Sequence, residues 1–163
     1  MGNGASSGSS SPNNNNGPDK SNANDAGAPQ TVDSRLPFSF RELYTLKNYY
    51  KAVRRTDKEC GKAMLKKYLQ TSDNQKYYPK LKSIDISKLS ADTVDPAYEA
   101  MAANYLKLFD EVITLVEETP ADCSEAINRL KHVGRMHRKV EGLTSLMFQD
   151  LEVPFLSMLS LIV

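Results

Sequence analysis

His132 and His137 are the only histidines in the chain, and neutral imidazole is the commonest side-chain metal ligand. Lying five residues apart on a helix, the two point to different faces and do not make a joint metal site. His137 falls on an apolar stripe with Gly134 and Val140, whereas His132 lies off it and reads as a surface residue. A histidine on an apolar face is either a core residue bonded to a carbonyl or an axial ligand to haem iron. The spacing alone leaves both readings open. Gly134, nearly one turn before His137, costs roughly 1 kcal/mol against alanine inside a helix, which a close approach by another helix would explain. Cys60 and Cys123 are the only cysteines. Two isolated thiols make neither a disulfide framework nor a cysteine metal cluster, and they read as buried, inert thiols in a reducing compartment. No serine or cysteine sits in a nucleophile motif, so an enzyme with a side-chain nucleophile is not expected.

The N-terminus offers a different chemistry. Met1-Gly2-Asn3-Gly4-Ala5-Ser6 fits the pattern for myristoylation at Gly2. From Gly2 to Ser34 the chain is mostly Gly, Ser, Asn, Pro, Asp and Ala, and Val32 is the only large aliphatic residue. Such a segment buries too little apolar surface to offset its ordering entropy, so residues 1–34 are expected to be a flexible arm and residues 35–163 the folded domain. One acyl chain binds membranes only marginally. Lys20 is the only basic residue before Arg35, and the arm has no cysteine, so it lacks an obvious second anchoring signal. The expectation is a cytoplasmic protein held reversibly at the cytoplasmic face of a membrane. No apolar run approaches the ~20 residues of a membrane span, and the N-terminus lacks the apolar centre of a secretory signal. A net charge of +1 points to no nucleic-acid partner.

Helices must position His137. Ser39 and Glu42 are spaced as a capping box, with Phe38 and Leu43 as a hydrophobic staple, and Thr56 and Glu59 repeat the box. Asp95-Pro96 and Thr119-Pro120 each put a capping residue before a proline suited to a first helical turn. Between these signals, apolar residues recur at helical spacing. Leu43, Leu46, Tyr50 and Val53 form one stripe, and Met64, Leu65, Tyr68 and Leu69 another. Met101, Tyr105, Phe109, Val112, Ile113 and Val116 form a long third, and Ile127, Leu130, Gly134, His137 and Val140 a fourth. A last apolar stretch runs from Leu146 to Val163, with Pro154 expected to kink it. Residues 77–94 are irregular and contain no convincing strand. The result is an all-α domain of about five main helices, and periodicity does not separate a bundle from other helical folds.

The run HVGRMHRKV, His132 to Val140, resembles the proximal-histidine helix of globins, most closely divergent nematode globins and the neuroglobin and cytoglobin group. The resemblance covers Phe40 to about Leu159 and holds in chain order. TLKNYYKAV resembles the opening helix and GKAMLKKYL the second. KYYPKLK is similar to the corner where a phenylalanine before proline stacks on haem, and here Tyr78 stands before Pro79. PAYEAMAANYLKLFDEV resembles the distal helix, and MFQDLEVPFLSML the helix after the proximal one. The resemblance implies a globin-like fold, haem as cofactor and His137 as proximal iron ligand. It puts Met101 at the distal position, Tyr105 one turn later toward the pocket, Leu65 near the distal wall, and Leu143 and Phe148 on the proximal side. Each of the last three also reads as ordinary core, and Met101 as core filler.

Three departures shape the functional expectation. Met101 is only a weak acceptor and donates no strong hydrogen bond to a bound gas, but a His/Met pair raises haem potential and suits electron transfer. Tyr78 keeps a ring but adds a hydroxyl that needs a partner. The sequence stops at Val163, where the resemblance implies a final long helix, so a shortened globin with weakened haem retention is expected. The first reading is a haem protein that transports, stores or senses oxygen or another diatomic gas. The second is a six-coordinate redox globin with an electron-transfer partner, in which haem redox turnover is open. The third is a haem-free helical interaction module tethered to membranes.

Overall fold

The computed structural model describes residues 31–71 and 74–162, so the Gly2 pattern lies outside the described residues. Four long helices carry the fold: α1, Phe40–Arg55; α2, Asp57–Thr71; α3, Pro96–Glu118; and α4, Ser124–His137. Two short ones follow, α5 at Leu146–Gln149 and α6 at Glu152–Leu159. Three 3-10 turns, Gln75–Tyr77, Pro79–Leu81 and Ile86–Lys88, break up the irregular segment between α2 and α3.

Local signals set most helix ends. Ser39 caps α1 with both arms of the box formed, the Glu42 carboxylate accepting from the Ser39 N–H at 2.7 Å. Phe38 and Leu43 share one apolar cluster, as a staple requires. Asp95 accepts from the Tyr98 N–H at 2.8 Å, ahead of Pro96 in the first turn of α3. Two signals are spent differently. The Thr56 hydroxyl donates back to the Ala52 carbonyl at 3.1 Å and lies beside the Cys60 sulfur, and no hydrogen bond joins it to Glu59 as a second box would require. Thr119-Pro120 ends α3 rather than opening α4, because the residue before proline is pushed out of the helical region; Thr119 has φ −131° and ψ 66°. Helix α4 starts four residues later, where the Asp122 carboxylate accepts from the Ser124 N–H at 2.9 Å. Pro154 does not kink a continuous helix. The chain breaks at Asp150 and Leu151, which puts Pro154 in the first turn of α6, where a missing N–H is harmless.

Three apolar clusters bind the helices. The first joins Tyr50 and Val53 of α1, Cys60 and Met64 of α2, Leu106 of α3 and Met158 of α6. The second packs Leu65 and Leu69 against Tyr98 and Ala102, and it recruits Leu81 and Leu89 from the irregular segment. The third holds the ends of α1 and α3 against the start of α4. Full burial of such a side chain stabilises the fold by about 1.5–3 kcal/mol.

Helices α2 and α3 cross closely at Gly61, where an added Cβ would sit 2.8 Å from the Ala102 carbonyl oxygen. Beside this crossing the Tyr98 hydroxyl donates to the Lys62 carbonyl at 2.6 Å, and burial pushes its pKa up to about 12. Buried Lys62 donates to the Ala91 and Thr93 carbonyls at 3.0 and 2.8 Å and pairs with Glu99 at 2.8 Å, which pins the loop before α3. Arg54 ties α1 to α3 through Asp110 at 2.6 Å and Thr114 at 2.8 Å.

Contacts begin within the stretch read as the arm. Val32 packs on the third cluster. The Asp33 N–H donates to the Pro120 carbonyl at 2.7 Å, and its carboxylate accepts from Arg35 at 2.6 Å and from the Cys123 N–H at 2.9 Å. The Arg35 side chain, with the backbone N–H groups of Arg35 and Cys123, holds the Asp33 carboxyl well below the ordinary aspartate value of 3.8. A depressed folded pKa stabilises the fold above the unfolded value and loses that contribution as pH falls below it. Thermal melts of Asp33→Asn are therefore expected to show a less stable protein at pH 7 and a shallower loss below pH 3.8 than wild type. Parallel acid profiles would deny the linkage.

Candidate functional site

Helix α4 is amphipathic but half covered. Leu130 is 49% exposed, while Val133 and His137, one turn apart, turn inward. They line an apolar pocket of about 380 Å³ between α3 and α4, closed by α5 and the Tyr77–Tyr78 turn. Met101, Tyr105 and Phe109 supply the α3 wall, and Leu143, Met147 and Phe148 the side after α4. The volume falls within the usual range for small-molecule sites, about 300–1,000 Å³. A roomier groove of about 640 Å³ between α1, α2 and α3 is lined by charged residues that include the Lys62–Glu99 and Arg54–Asp110 pairs, and it holds no histidine.

His137 ends α4. Its Nδ1 lies 2.8 Å from the Val133 carbonyl oxygen. A carbonyl only accepts, so Nδ1 carries the proton, and in the neutral imidazole Nε2 is the nitrogen with the lone pair. Nε2 has no hydrogen-bond partner among the described residues. The Phe148 ring meets the imidazole edge-on, centroids 5.2 Å apart, and limits its rotation. A carbonyl-oriented imidazole on an apolar wall suits a metal ligand, because the outer partner fixes tautomer and ring direction.

Opposite chemistry gathers at the far side. Tyr68, Tyr78 and Tyr105 form a triangle with ring centroids 5.8 to 6.5 Å apart. The Tyr78 and Tyr105 hydroxyls are hydrogen-bonded to each other, and the Tyr68 hydroxyl donates to the Met147 carbonyl at 3.3 Å. Burial pushes all three phenols up, so they stay protonated donors at neutral pH. The Tyr77 hydroxyl donates to the Gly142 carbonyl at 3.0 Å across the mouth, and Gly142 has φ 77°, a left-handed conformation natural to glycine.

Of the residues singled out in the sequence, His137, Met101, Tyr78, Tyr105, Leu143 and Phe148 share this pocket. Leu65 does not reach it. It is fully buried behind the α3 wall, in the cluster on which Met101 and Tyr105 pack. Gly134 has nothing within 4 Å of where a Cβ would stand, so no close helix approach explains it; the close crossing lies at Gly61. Sequence reasoning missed Tyr68, whose phenol on an otherwise apolar stripe demanded a partner. It also missed Val133, which lies one turn before His137 on the same face.

No family profile matches the chain, and no curated protein does. A solved structure does: a hexacoordinated haem protein from an anhydrobiotic tardigrade, 24% identical, TM-score 0.69, over 80% of this chain and 81% of that one. The fold is globin-like. Of the two pockets, the one that contains the helical histidine carries no charged lining side chain. The residues present fit a haem: an oriented imidazole with a free lone pair, a thioether in the same pocket, aromatic walls and no charged lining side chain.

Proposed function

We propose that this chain binds haem between α3 and α4, with His137 Nε2 as axial ligand, and that it binds a diatomic gas there. The observation that supports this most is the Nδ1 contact of His137 with the Val133 carbonyl, which leaves a lone-pair nitrogen on an apolar pocket wall. Haem held by one imidazole supplies an iron able to take a diatomic ligand or an electron. The protein's part is to orient the imidazole and to line the pocket with apolar and aromatic side chains, among them three phenols already hydrogen-bonded to protein partners. Titration of the purified chain with haemin, followed by absorption, tests the reading. A sharp, stoichiometric band supports it, and a featureless titration overturns it in favour of a haem-free interaction module.

A second reading, a six-coordinate redox protein with an electron-transfer partner, has its own support. Met101 lines the same pocket as His137, and the similar tardigrade protein is hexacoordinated. If Met101 ligates, the ferrous protein shows a six-coordinate spectrum. Met101→Leu is then expected to give a five-coordinate one and a lower reduction potential, since a Met/His pair raises it. A five-coordinate ferrous spectrum in the wild type would instead favour the gas reading. The Gly2 pattern supports myristoylation, and with it reversible attachment at the cytoplasmic face of a membrane.

A further inference from the structure

Helix α1 carries five basic residues and one acid. The acid, Glu42, is taken by its own N-cap, and Arg54 is turned inward onto α3. The other four, Arg41, Lys47, Lys51 and Arg55, form no ion pair among the described residues. Arg41, Tyr44, Asn48, Lys51 and Arg55 follow one another in steps of three and four, which puts them on one stripe opposite buried Leu43, Tyr50 and Val53, with Lys47 flanking it. The stripe is about 21 Å long. Tyr44, in its midst, is 58% exposed.

We propose that this face of α1 is a docking surface for anionic lipid headgroups. Unpaired cations along one line of a helix complement a negatively charged plane. An exposed tyrosine among them suits the headgroup layer, where its ring and hydroxyl face different media. The acylation pattern at Gly2 favours lipid over an acidic protein or nucleic acid. A single acyl chain anchors only marginally and needs a second signal. The arm has one basic residue before Arg35, and α1 supplies what the arm lacks. The proposal is independent of whether the pocket holds haem.

Sedimentation of the full chain, with and without acylation, tests it with phosphatidylcholine vesicles and with vesicles that also contain phosphatidylserine. Each basic residue near such a surface multiplies affinity roughly fivefold. Lys47→Glu/Lys51→Glu/Arg55→Glu is therefore expected to lose phosphatidylserine binding about 100-fold or more with its thermal melt unchanged. Raised salt should do the same to wild type. Should the triple reversal fail to fold, the matching glutamine variant keeps the test, with a smaller loss. The chain has no tryptophan, so Tyr44→Trp gives a clean reporter whose emission should shift to the blue on phosphatidylserine vesicles alone. Equal binding to both vesicle types, wild-type binding by the variant, or tighter binding to duplex DNA or polyglutamate than to phosphatidylserine vesicles would each overturn the proposal.

Discussion

His137→Ala is expected to remove the stoichiometric absorption band from a haemin titration while leaving far-ultraviolet circular dichroism intact. The imidazole is the one nitrogen donor on the pocket wall with a free lone pair. Its removal should cost more than about 100-fold in affinity, because losing only an outer-shell partner of a metal ligand costs about 10–100-fold. Helix α4 should survive. His137 is its last residue, alanine is the best helix former, and the residue contributes no buried hydrophobic bulk to any of the three clusters. Added imidazole should restore part of the band, since alanine leaves space for it beside Phe148. A mutant that binds haemin like wild type would sink the assignment and return His137 to the role of a helix-end histidine bonded to its own backbone.

Two glycine-to-alanine changes should move stability in opposite directions. Helix propensity alone predicts that each gains about 1 kcal/mol. Gly134→Ala meets nothing within 4 Å and should realise most of that, raising the melting temperature by about 4 °C. Gly61→Ala drives its Cβ to 2.8 Å from the Ala102 carbonyl oxygen, a backbone atom that cannot swing aside. Overpacking costs about 1–3 kcal/mol, so the net effect should be a loss, and the helices must part where Tyr98 and Lys62 are joined. Thermal melts of both variants decide it. Two gains of similar size would mean that the crossing is looser than its geometry.

Helix starts were legible in the sequence where one local interaction decides the outcome. Ser39 with Glu42, and Asp95 with Pro96, set helix starts through bonds within four residues. Thr119-Pro120 misled because the same dipeptide ends a helix or begins one, and the length of α3 decides which. His137 was legible as a candidate through its stripe and through the resemblance. Leu65 and Tyr68 lie on one stripe of α2, and only the rotation of that helix against α3 sends Leu65 into the core and Tyr68 to the pocket. Gly134 and Gly61 show the same limit, since the space around a glycine is a property of its neighbours and not of the chain around it.

The Gly61 crossing also gives the pocket one stiff jaw and one compliant jaw. On the α3 side, backbone meets backbone and the buried Tyr98–Lys62 bond sits beside it. The start of α4 is packed into the third cluster, but its later turns and the segment after it are tied by polar contacts: Arg129 to Glu111, Tyr77 to Gly142, and Tyr68 to Met147. Each such tie contributes about 1 kcal/mol. A change in what the pocket holds is therefore expected to move the later turns of α4 and the segment after it before it moves α3, and to reach solvent where Leu130 and Met136 stand uncovered.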